Sequence, residues 1–194
     1  MTIANPLARI TNYLRTSSVL ALLDQLSRIS IIIGAVTYVL EIDDRRRETI
    51  YQAWQVVNSA QGTQVGGGRV EALETLVEKH VPLAYINLEG VNLRAARLKD
   101  ADLTHARLGT ADLSHADLRN ADLTGADIRQ TAFVGADLRG ANLTVWGWLN
   151  NDLSDADLRD ATGVTQEWLD NACGSAATQV PAGLRKPRLC GQPE

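Results

Sequence analysis

A chain of 194 residues, 45% of them hydrophobic, has room for one or two small domains. Its formal net charge of −4 argues against nonspecific nucleic-acid binding, which needs a concentrated basic footprint. Its 2 cysteines, Cys173 and Cys190, carry little information: they read as free or buried thiols of a reducing compartment, with pairing as the alternative.

In chain order, residues 1–61 are a helical region. Asn5-Pro6 offers an N-cap and a first helical residue, and Leu7, Ile10 and Leu14 come next at helical spacing with Arg9 and Arg15 between them. This short basic amphipathic helix suits a membrane surface or docking on the next helix. Ser17 and Ser18 can cap a second, longer helix that contains no proline. Its critical part is residues 29–40, 12 uncharged residues that include Ile29, Ile31, Ile32, Ile33, Val36, Val39 and Leu40. A helix apolar on every side is buried in protein or in lipid. A membrane span needs ~20 such residues, and extending back to Val19 takes in Asp24, Gln25 and Arg28. The chain offers no other large apolar element to receive the run. The expectation is therefore membrane association, by a single span or deep insertion, with a homo-oligomer core as the alternative. Arg9, Arg15 and Arg28 before the run balance Arg45, Arg46 and Arg47 after it; the clustering of the latter leans toward a cytoplasmic C-terminal part. A Cys173–Cys190 disulfide would argue for the opposite side. No cleavable signal peptide is evident, because the apolar run starts late.

Beyond Asp43 and Asp44 the helix becomes amphipathic, with Ile50, Trp54 and Val57 on one stripe. Residues 62–68, GTQVGGG, then break it. They lack the Lys-Ser/Thr of a phosphate-binding loop and read as a linker. Residues 69–80 form a short helix with Val70, Leu73, Leu76 and Val77 on one face, placed to cap the start of the next segment.

That segment is a repeat. Residues 86–160 divide into 15 units of five without an insertion, and the third residue is Leu in 12 of the 15. The first is usually Ala and the second Asp or Asn. Period five fits neither the 3.6 of a helix nor the 2.0 of a strand. Within a unit, however, positions one and three are apolar around a polar position two, which is a very short strand. Positions four and five hold corner residues. A strand and a corner every five residues wind into stacked coils.

These units, such as ADLTH, ADLRN and ANLTV, resemble the pentapeptide-repeat family, whose consensus is A(D/N)LXX. The resemblance implies a mainly β solenoid, a right-handed quadrilateral β-helix of about four coils; it covers residues 86–160 with 81–85 as a degenerate lead-in unit, and the β-helix domain is read as 81–163. Residues 51–80 also resemble the N-terminal region of some bacterial membrane-associated members. Reading fourth positions at steps of 20 gives one column of Lys99, Arg119, Arg139 and Arg159 and another of Thr104, Thr124 and Thr144. A step of 15 gives no pattern. Beside the basic column run Asp117, Asp137 and Asp157, so it reads as a self-neutralising surface ladder, with a docking stripe for an acidic partner as the sharper alternative.

One unit departs from the consensus. Trp146-Gly147-Trp148 puts an indole where Ala106 and Ala126 stand below, and Asn151 occupies another normally small position. An inward Trp146 would overpack the coil. The coil is therefore expected to be irregular over 145–152, either bulged or with Trp146 turned outward; this is the best candidate contact surface on the solenoid, with an internal repair of the coil as the equal alternative. Residues 164–194 read as a capping helix around Trp168 and Leu169, then an irregular tail.

No chemistry emerges. His80, His105 and His115 fall in different columns and cannot share a metal. The repeat aspartates face outward, with no reason for a raised pKa. No catalytic, metal or cofactor residues are expected. The expected role is a non-catalytic scaffold, membrane-tethered, that presents the solenoid to an unidentified protein partner. The alternative is a soluble DNA mimic like the gyrase-protecting members of the family. Mimicry needs a strongly acidic face, and residues 81–163 hold 12 acidic against 8 basic residues.

Overall fold

The computed structural model describes residues 18–59 and 68–191. The first 17 residues, where the basic helix is expected, and nearly all of the linker lie outside the described residues. The chain divides into two units, Met1–Thr49 and Ile50–Glu194.

Helix α1 (Ser18–Ser59) runs for 42 residues. In the first unit its apolar part is bare: Ile31, Ile32, Ile33, Val36, Val39 and Leu40 are all exposed. Among the described residues no helix is long and apolar enough to cross a membrane. This corrects the expected span. Twelve residues rise only ~18 Å, against a hydrocarbon core of ~30 Å. Glu41 and Asp43 then end the run, ion-paired one turn on with Arg45 and Arg47.

The second unit is built around the repeat. From Asn87 to Asn142 each second-position residue bridges in parallel to the residue 20 further on, as Asp102↔Asp122↔Asn142 and Asp117↔Asp137↔Asp157 do. The Leu N–H of one coil donates to a carbonyl of the next, Leu103 to Asp122 and Leu123 to Asn142, at 2.8 and 2.9 Å. The intervening corner closes by a bond from the next first position back to the Leu carbonyl, Ala106 to Leu103 at 3.0 Å. Its fifth-position residue is left-handed, from His80 through Asp160 with the exception of Val145, mostly at non-glycine residues. The result is a β-helix. Leu103, Leu123 and Leu143 stack as expected and are fully buried, with Ala101, Ala121 and Ala141 beside them. These columns leave the interior solid, and each buried Leu contributes about 2 kcal/mol by its transfer from water.

The second-position carboxylates and amides do more than face solvent. Oδ1 of Asp102, Asp122 and Asn142 accepts the backbone N–H of Thr104, Thr124 and Thr144, and the same bond recurs at Asp112 and Asp152. The side chain thus holds the corner as an Asx-turn.

Both mouths are closed. Helix α2 (Arg69–Glu78) buries Ala72, Leu73 and Leu76 in the same core as Leu83 and Leu88, and Ala53 and Val57 of α1 are buried in it too. In regular coils the second-position N–H donates to the coil beneath, as Asp117 does to Ala96 at 3.0 Å. Glu74 of α2 takes that place for Arg97: Oε1 accepts its N–H at 2.8 Å and Oε2 its Nη2 at 2.7 Å. A carboxylate therefore substitutes for a missing strand at an edge that would otherwise invite pairing. At the far end, α3 (Gln166–Asp170) is capped by the Thr165 hydroxyl and buries Trp168 and Leu169. Trp168 Nε1 donates to Asn151 Oδ1 at 2.9 Å, and Asn151 Nδ2 donates to the carbonyls of Ile128 and Thr131 at 2.5 and 3.2 Å.

The tail is not simply irregular. It continues the stack through bridges Asp152↔Cys173 and Asp157↔Gln179. These steps exceed 20 residues, so the five-residue pattern is lost while the pairing survives. Strand β1 (Cys173–Gly174) pairs in parallel with β2 (Arg188–Leu189). Cys173 and Cys190 form a disulfide, which corrects the expectation of free thiols. Adjacent strand ends bring the two cysteines together, an adjacency that a sequence separation of 17 does not reveal.

Candidate interaction surface

The basic column is a ladder of forks. Arg119 Nε and Nη2 donate to Asp117 at 2.8 and 2.7 Å, Arg139 to Asp137 at 2.8 and 2.6 Å, and Arg159 to Asp157 at 2.9 and 2.6 Å. The forks are linked upward, Arg119 to Asp137 at 3.6 Å and Arg139 to Asp157 at 3.7 Å. Lys99 sits 3.8 Å from Asp100. Hydrogen bonds from the guanidinium groups hold the carboxyls of Asp117, Asp137 and Asp157 below the ordinary carboxylate range, and the same bonds raise the three arginines. The column is internally neutralised.

The other sequence candidates lie half a coil away. At 144–150 the regular corner is missing: Val145 N–H bonds back to Leu143 at 2.8 Å, and Trp146 N–H takes the Ala126 carbonyl that a second-position residue would normally use. Trp146 turns outward and is 66% exposed. Trp148 turns the other way and packs, half-buried, on the core. The structure therefore separates the two tryptophans from each other and both from Lys99, Arg119, Arg139 and Arg159.

Trp146 instead meets residues that the repeat pattern does not single out. Arg129 Cζ lies 5.4 Å from the indole centroid, a cation–π distance. Arg129 is held from below by a fork on Asp127, Nε at 2.8 Å and Nη2 at 2.5 Å. Asp127 is buried, and its pKa is lowered, first by that bond. Gly147 permits the arrangement, since a Cβ there would stand 2.7 Å from Asp127 Oδ1. Beside the pair, Gly109 interrupts a fourth-position column between Glu89 and Arg129. An open groove of about 360 Å³ results, lined by Glu89, Gly109, Thr110, Arg129, Gln130 and the exposed Leu149. The clue in sequence was the lone fourth-position glycine one coil below an arginine.

Among the described residues, the one group with metal-ligand chemistry in reach is Asp152, Cys173 and Cys190. Both sulfurs there are committed to the disulfide.

Stacked parallel coils with a filled interior and capped mouths define a β-solenoid. The chain carries a pentapeptide-repeat domain: the family model described as pentapeptide repeats matches residues 83–109 and 106–144, in 8 copies. Similar solved structures include a pentapeptide repeat protein from the cyanobacterium Cyanothece 51142, with 29% identity over 52% of this chain and 64% of that one, TM-score 0.33. Another, from the Arabidopsis thaliana thylakoid lumen, is 29% identical over 48% of this chain and 58% of that one, TM-score 0.32. A third, from Nostoc Pcc 7120, is 28% identical over 57% and 86%, TM-score 0.33. The chain thus spans less than two thirds of the first two. A comparison with curated proteins gave no match.

Proposed function

We propose that this chain is a non-catalytic scaffold whose protein partner docks over Trp146, Leu149 and Arg129. The observation that carries the reading is an indole 66% exposed yet braced by a forked arginine on a rigid face. Tryptophan and arginine dominate the energy of protein interfaces, and a side chain already held in place loses little entropy on docking. We infer that the coil is the right-handed, four-sided form with about four turns, supported by the 20-residue bridge step and a left-handed corner at every fifth residue but Val145. The gyrase-protecting reading ranks second, because the Asp117, Asp137 and Asp157 carboxylates are neutralised by their own arginines. The disulfide favours an oxidising compartment for the solenoid, against the cytoplasmic lean of the arginine count. Shallow attachment of residues 29–40 to lipid is the remaining membrane reading.

In-cell crosslinking of the tagged full chain tests the docking face. Trp146→Ala should abolish the partner adduct while leaving the unfolding midpoint unchanged, and Arg139→Ala should keep the adduct. An undiminished adduct with Trp146→Ala, or equal loss with both, refutes it. Protection in a gyrase supercoiling assay would reverse the ranking.

A further inference from the structure

The apolar part of α1 hides a second period. Counting heptads from Val19, the a positions are Val19, Leu26, Ile33 and Leu40, and the d positions are Leu22, Ile29 and Val36. Three heptads pass without a polar residue on this stripe. Every charged residue between 19 and 42 falls at b, c or f: Asp24, Arg28 and Glu41. Lipid imposes no such period, whereas packing against another helix demands it.

Two features of the structure say where the stripe begins to lack a cover. Continued along the same helix, the count reaches Ile50, Trp54 and Val57, and there it is packed: Val57 is 1% exposed and the other two lie on the core. Across residues 33–40 the same stripe is bare, with Ile33 at 57%, Val36 at 52% and Leu40 at 59% exposure. Between the two stretches stand Asp43 at d and Arg47 at a, bonded to each other at 2.6 Å, which closes the bare seam at its C-terminal end.

We propose that residues 19–40 of α1 form a coiled-coil seam that pairs with the same segment of a second copy of this chain. The e and g positions, where charges choose between partners, hold Leu23, Ser30 and Thr37 and Gln25, Ile32 and Val39. None is charged, so nothing on the flanks repels an identical helix or selects a different one. The seam extends ~33 Å at 1.5 Å per residue, ample for a specific helix pair. This inference concerns α1 alone and stands apart from the docking face at Trp146.

The test is the mass of the full-length chain by sedimentation equilibrium at micromolar concentration. The wild type should sediment at twice the 21.0 kDa chain mass or more. The seam variant Ile33→Asp/Leu40→Asp should fall to the monomer. The control Ile31→Asp/Tyr38→Asp, both at f, removes comparable apolar surface and should keep the wild-type mass. Far-UV circular dichroism confirms that all three retain the fold. A monomeric wild type, or equal dissociation of seam and control variants, overturns the proposal. So does a wild type that is monomeric in buffer but floats with equimolar phosphatidylcholine–phosphatidylglycerol vesicles, released equally by both variants; that result assigns the helix to lipid.

Discussion

Replacing Asn151 by alanine restores the residue that first positions of the repeat usually hold, yet it should destabilise the chain. Asn151 and Trp168 are each 1% exposed, and the amide is the only described partner of the indole N–H. Alanine removes the two bonds from Nδ2 to the Ile128 and Thr131 carbonyls. Ile128 O keeps the Thr131 N–H, so this loss costs about 0.5–1.5 kcal/mol per bond. It also strands the Trp168 N–H in the interior, at a further ~1–3 kcal/mol. The expected total is about 2–6 kcal/mol. Trp168→Phe removes the donor and leaves Asn151 Oδ1 short of one bond, at roughly 1–2 kcal/mol. In the double variant no donor is stranded, so its cost should fall short of the sum of the singles by about 1–2 kcal/mol. Equilibrium urea unfolding of the four proteins measures the cycle. An Asn151→Ala variant within about 0.5 kcal/mol of wild type, or strict additivity, would refute Asn151 and Trp168 as a coupled pair.

Thr110 is a β-branched residue at φ 58, on an exposed corner. The left-handed conformation costs such a residue ~1–2 kcal/mol, and glycine returns up to about 1 kcal/mol of that as lost chain entropy. Thr110→Gly should therefore raise stability by about 0.5–1 kcal/mol, read from the thermal midpoint; a clear decrease would show the corner to be unstrained. The acid limb of stability comes from the forks. Asp117, Asp127, Asp137 and Asp157 have depressed pKa values, so their contribution is present above the ordinary carboxylate pKa near 4 and is lost as pH falls through the folded values. Urea midpoints should be flat from neutral pH down to about 5 and drop below about 4. Asp117→Asn/Asp137→Asn should flatten that drop, since asparagine already serves the corner at Asn142.

The columns of Leu and Ala were legible because a solenoid repeats its burial pattern with its coil, and fifteen units leave little freedom. The aspartates were misjudged: facing outward looked like mere solvation, while their Oδ1 atoms fasten the corners. That role was hinted at by the Asp-x-Thr and Asp-x-Ser spacing of Asp102, Asp122 and Asp152. The tail hid its pairing because Cys173 and Gln179 bridge to the stack without the Ala-Leu signature. The disulfide depends on which chain ends meet, which only the folded stack decides. The outward turn of Trp146 was one of two expected outcomes; its anchor, Arg129, stands a coil away, outside the aberrant unit. The heptads of α1 were masked by Ile31 and Ile32, which made the helix look uniformly greasy.

The 20-residue step makes the solenoid behave like a screw thread. Excising five residues below Trp146 would index every later face by a quarter revolution, parting the indole from Arg129 although each remaining unit could still coil. Excising twenty would bring all faces back into phase on a shorter rod. Length can drift in whole revolutions while the pattern on each side is kept, and a docking face can be carried around the axis in fixed clicks.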